Sequence, residues 1–148
     1  MLWIKTFFGI LFQTLLLGIF LYLPALTLNW PDAFLFLTIH FLITILASAY
    51  LLIVKPASIE ARMNYDSETQ PKEDRLATVL MLSAIVVGLS LAPIDIFHLN
   101  LSFSFEGNIK NIGLGIYIIG MLFVMASMNA NEFAETTVNI QEIGRAHV

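Results

Sequence analysis

Four groups of residues in this chain are of types and spacings that could do chemistry. His40 stands alone in a long apolar run, near Thr38 and Thr44. An ionisable side chain inside hydrocarbon is a functional candidate by default. The simpler alternative is a neutral imidazole bonded to a neighbouring hydroxyl or carbonyl, because no acidic residue lies within a turn of it. Asp95 and His98 are three apart and so share a helix face. They are metal-ligating types, but two ligands are too few, and their position at the end of an apolar run fits an interfacial cap. Gly113, Gly115 and Gly120 in "NIGLGIYIIG" lack the strand-then-helix setting of a phosphate-cradling loop. They are expected to allow close helix packing in lipid, with Met121, Met125 and Met128 lining a packed or lipid-facing side. The last group is the C-terminal stretch, where Glu132, Glu135, Thr136, Thr137, Asn139, Gln141 and Glu142 follow directly on an apolar run.

These residues need elements to position them, and the composition says which. Of 148 residues, 58% are hydrophobic and 12% charged, against about 25% charged in ordinary soluble domains. No cysteine is present, which excludes disulfides, thiolate metal sites and a thiol nucleophile. A net charge of −4 offers no basic stripe for nucleic acid. The class is an integral membrane protein.

Four apolar runs organise the chain: residues 6–28, 33–54, 76–94 (extending to Phe97 past Asp95) and 111–128. Each approaches the ~20 residues that span a bilayer core as a helix. Backbone groups in lipid must bond within their own segment, which favours helices for runs this long. The runs do not alternate as barrel strands would. The first exceeds a signal-peptide core of ~7–15 residues and ends in large residues, so it reads as a retained helix. The expected fold is all-α: four transmembrane helices in two antiparallel hairpins, with a polar cytoplasmic tail.

The joints refine this. In "LNWPD", Pro31 suits the first turn of a helix and Asn29 a cap before it, while Trp30 suits the interfacial belt. Residues 55–75 carry nine of the eighteen formal charges and must face water, with one or two amphipathic turns at 58–64. Phe103 and Phe105 in the third joint are expected interfacial anchors. Lys5, Lys55, Arg62, Lys72 and Arg75 fall on one side and Lys110 alone on the other. That bias places the N-terminus, the charged joint and the tail in the cytoplasm.

Four stretches together resemble the N-terminal half of the isoprenylcysteine carboxyl methyltransferase family, particularly its bacterial members. They are "YLPALTLNWPDAFLFL", "KPASIEARM", "ETQPKEDR" and "MNANEFAETTVNIQE", and their order and spacing carry the likeness through Glu142. The resemblance implies a membrane-embedded methyltransferase of the bacterial inner membrane that uses S-adenosylmethionine, with a lipophilic or prenylated acceptor and neither metal nor nucleic acid. In that family a Gln opens the cofactor-binding region, and Gln141 is its counterpart here. Its amide donates and accepts hydrogen bonds, as an amino-acid-like or adenine-like group requires. The family's Arg-His-Pro-x-Tyr motif is absent from this chain, so no catalytic residue carries over. The fourth helix is accordingly expected to be loosely held, and the chain alone to be inactive.

The final residues 143–148, "IGRAHV", back-translate into a common sequencing adapter and are expected to be non-native, which leaves residues 1–142 as the membrane part. The alternative reading of the whole chain is a small non-enzymatic four-helix membrane interaction protein.

Overall fold

The computed structural model describes residues 1–63, 72–101 and 108–130. Helix is the only regular structure among them: α1 (Leu2–Ala25), α2 (Pro31–Val54), α3 (Pro56–Met63), α4 (Lys72–Ile94), which runs on into a π-helical turn (Asp95–Leu99), and α5 (Asn108–Ala130). Four of these segments are long and apolar enough to cross a membrane, namely Leu2–Ala25, Pro31–Val54, Arg75–Leu99 and Asn108–Ala130. They coincide with the four apolar runs, and the fold is the expected all-α membrane architecture. Phe103, Phe105, Gln141 and residues 143–148 lie outside the described residues.

Local chemistry accounts for where the helices start and stop. Pro31 is the first residue of α2, where its missing N–H and fixed φ cost nothing. The N-cap, however, is Trp30 and no side chain caps it. The expected Asn29 cap does not form, since the N-cap position falls one residue later, at Trp30; the Asn29 N–H donates to Thr27 Oγ1. At the end of α1, Pro24 occupies the last turn and Leu26 closes it at φ 54°. In α4, Pro93 is the residue before the last. It removes an i→i−4 donor, and the chain passes directly into the wider turn of Asp95–Leu99, closed by the Asn100 N–H to the Asp95 carbonyl at 2.7 Å. Asn100 sits at φ 50°, a conformation asparagine tolerates well at a helix end.

The packing is a row rather than two stacked hairpins. α1 and α2 form the antiparallel core pair, α4 packs chiefly on α1, and α5 on α2. The partners along α2 and α5 advance together: Asp32 with Lys110, His40 with Tyr117, and Leu51 in the cluster that Met128 joins. α2 and α5 are therefore parallel. The second antiparallel pair is split across the two flanks of the first.

Most large apolar side chains are exposed, as lipid permits, because hydrocarbon solvates leucine as well as a protein core does. Close packing and polar ties must hold the helices instead. Gly18 brings α1 near α2: a Cβ there would meet Leu37 Cδ1 at 3.5 Å.

Candidate functional site

A mid-span polar contact joins α2 to α5. Spacing of four along α2 puts Phe36, His40 and Thr44 on one stripe. The stripe faces α5, where the Tyr117 ring lies 4.9 Å from that of Phe36. His40 is 5% exposed, and its Nδ1 and the Tyr117 hydroxyl are hydrogen-bonded at 2.5 Å. Phe36 stacks on the imidazole at an interplanar angle of 23°. His40 is thus hydroxyl-bonded, as its isolation from acids suggests. Its partner is on another helix, not at Thr38 or Thr44. Thr38 returns its own hydroxyl to the Phe34 carbonyl.

A second polar group gathers where α2 turns into α3. Lys55 Nζ donates to the Asn129 carbonyl at 2.6 Å, and the Ser58 hydroxyl to that of Met128 at 3.5 Å. These carbonyls belong to the last turn of α5, where no intrahelical donor remains for them. Ser58 is fully buried. Leu51, Leu52 and Ile59 form an apolar cluster there, with Leu2 and Met128 packed against it. Thr6 Oγ1 reaches Met63 Sδ at 3.7 Å, which ties α3 to α1. The expected amphipathic turns therefore form a distinct helix that seats the end of α5.

At the opposite end, Asp95 and His98 serve as caps. Asp95 Oδ1 accepts the Leu101 N–H at 2.8 Å. His98 Nε2 lies 2.8 Å from the Pro24 carbonyl, an orphan acceptor of the last turn of α1. Among the described residues no three His, Asp or Glu side chains converge as a metal group would. Trp30 packs edge-on against both Tyr22 and Phe97, at 6.3 and 5.2 Å. Lys110 pairs with Asp32 at 2.6 Å with both side chains over half exposed.

The glycines of α5 depart from expectation. A Cβ at Gly113, Gly115 or Gly120 would meet nothing within 4 Å, and α5 has no buried residue. No described helix packs closely at any of the three, because α5 meets α2 through the Phe36, His40 and Leu51 stripe.

An apolar groove of roughly 630 Å³ runs between α1 and α2, lined by Thr14, Gly18, Tyr22, Leu26 and Leu37 among others. It lies at the Trp30 end, away from the α5 terminus.

Sequence reasoning singled out His40 but missed Tyr117. The available signal was a phenol in mid-span, which needs a partner when buried. It also missed Lys55 and Ser58 as donors to the α5 end, since nothing local links residues about seventy apart. Compared with known family models, curated proteins and solved structures, the chain matches none of them.

Proposed function

We propose that this chain is the membrane-embedded N-terminal part of an S-adenosylmethionine-dependent methyltransferase resembling isoprenylcysteine carboxyl methyltransferase, acting at the inner membrane of a bacterium. The observation that carries the reading is the stretch "MNANEFAETTVNIQE", which begins in the last turn of the helix whose end carbonyls Lys55 and Ser58 hold. That anchoring holds the last described turn of α5 beside α3. The bias of Lys and Arg makes the α3 side cytoplasmic, where a water-soluble cofactor is available.

Bound S-adenosylmethionine would supply an electrophilic sulfonium methyl for an acceptor carboxylate oxygen, with the C–S pair retained on sulfur as a neutral thioether, and Gln141 would help to hold it. Catalysis is largely positioning, with reacting atoms about 3–3.5 Å apart. In this reading Gln141 contacts the cofactor, and a lipophilic or prenylated acceptor arrives from the bilayer. The test is methyl transfer from labelled S-adenosylmethionine to a prenylated cysteine by the protein of the complete reading frame. Transfer that falls on replacing Gln141 with Ala supports the reading; absence of cofactor binding overturns it.

One observation favours a second reading, a non-enzymatic helix-binding membrane protein. Gly113 and Gly120, seven apart and so on one face of α5, have room for a partner helix to approach closely. A complete reading frame encoding no further cofactor motif would favour it.

A further inference from the structure

His40 and Thr44 leave two polar atoms unanswered in the interior of the helix row. His40 Nε2 and Thr44 Oγ1 are each buried, and no described protein group bonds either of them. The other ring nitrogen of His40 is committed to Tyr117. Whichever tautomer that bond selects, Nε2 is left as a donor or as an acceptor in need of a partner.

Thr44 departs from the behaviour of its peers. Thr6, Thr14 and Thr38 each return their hydroxyl to the carbonyl four residues earlier, at 3.0, 2.9 and 2.8 Å. That is the usual way for a hydroxyl to satisfy itself in a lipid-embedded helix. Thr44 has the same option at the carbonyl of His40 and does not use it. Its hydroxyl stands one helical turn beyond His40 on the stripe that faces α5. Phe36 covers the imidazole from the preceding turn.

We propose that His40 Nε2 and Thr44 Oγ1 together bind one water molecule at the α2–α5 seam. Buried polar groups are almost always satisfied, and where protein supplies no partner an ordered water does so. Water suits this pair because it donates and accepts at once, so it serves Nε2 in either tautomer and the hydroxyl in either rotamer. A metal ion is a poorer fit, since one imidazole and one hydroxyl make an incomplete ligand set. The other source of the same chemistry is a lipid hydroxyl.

The test is solid-state NMR of the full chain, labelled with 15N-histidine, in phosphatidylcholine bilayers, a lipid without hydroxyl groups. Magnetisation transfer from water protons to the ring nitrogens is read at the His40 signal, assigned by its loss in His40→Asn. The wild type is expected to show transfer at Nε2, Thr44→Ser to retain it, and Thr44→Val to lower it at least about threefold. In Thr44→Val an unchanged ring shift at Nδ1 shows that the Tyr117 contact persists. No transfer at His40 in the wild type, or transfer indifferent to Thr44→Val, overturns the proposal. So does transfer that appears only when diacylglycerol is added, since the bound oxygen is then a lipid's.

Discussion

Lys55 and Asn129 meet at 2.6 Å, ammonium to main-chain carbonyl, across 74 residues of sequence. This bond and that of Ser58 close the end of a helix that has no buried residue of its own. α5 is thus held at its ends and at one mid-span contact rather than along a packed face.

That arrangement predicts the pattern of hydrogen exchange. In detergent, amides from Gly113 onward should exchange faster than those of α1, and Lys55→Met should accelerate the last turn of α5 further. A hydrogen bond to a charged group contributes ~1.5–3 kcal/mol, so the local increase should be about tenfold or more. Protection of α5 equal to that of α1 would refute the picture of a helix held at points.

The His40–Tyr117 bond predicts a measurable coupling between α2 and α5. Interhelical hydrogen bonds in membranes average about 0.6 kcal/mol, with a maximum near 1.7. A double-mutant cycle of His40→Phe and Tyr117→Phe, read by reversible unfolding in mixed micelles, should give a coupling in that range. Strict additivity of the two substitutions would mean that the contact contributes nothing.

Orientation is predicted by the basic residues and tested by fusions. A reporter joined after Met128 should be active in the cytoplasm, and one inserted near Glu106 on the far side. Export of the Met128 fusion would reverse the assignment, and with it the case for a cytoplasmic cofactor.

Cofactor affinity is predicted to be low in this chain alone. One net hydrogen bond from Gln141 supplies ~0.5–1.5 kcal/mol, while even millimolar binding needs about 4 kcal/mol. Calorimetry on the 148-residue protein in detergent should detect no micromolar S-adenosylmethionine binding. Micromolar binding would relocate the site into the four helices.

Strain at one helix end makes a further prediction. Leu26 adopts φ 54°, where a side chain costs roughly 1–2 kcal/mol. Leu26→Gly relieves this but adds freedom to the unfolded chain. The net gain should be at most about 1 kcal/mol by the same unfolding assay. Asn100, at φ 50°, should gain less from the same change, because asparagine already tolerates that region.

How much was legible in the sequence depended on the range of the interaction. The four spans could be read because desolvating a helix is a property of a contiguous run, and length and apolar content are both local. Pro31 as a helix start and Asp95 as a cap were equally local. The Asn29 cap failed because capping turns on a single residue of register, which the "NWP" sequence leaves open between Asn29 and Trp30. The chemical environment of His40 was half legible: a hydroxyl or carbonyl partner followed from the missing acid, but its identity did not, since any polar residue on any other helix could have served.

By itself, then, the sequence determined that this chain forms four helices long and apolar enough to cross a membrane, with half of its formal charges in one joint, because hydrocarbon imposes the same demand on every segment independently. Only the tertiary structure decided which helix lies beside which. Lipid gives apolar faces no preference among partners, so the order α4, α1, α2, α5 rests on a few specific contacts. Gly18 fits against Leu37, His98 reaches the Pro24 carbonyl, Tyr117 meets His40, and Lys55 closes the end of α5. Each joins residues remote in the chain, and none has a periodicity or spacing from which it could have been read.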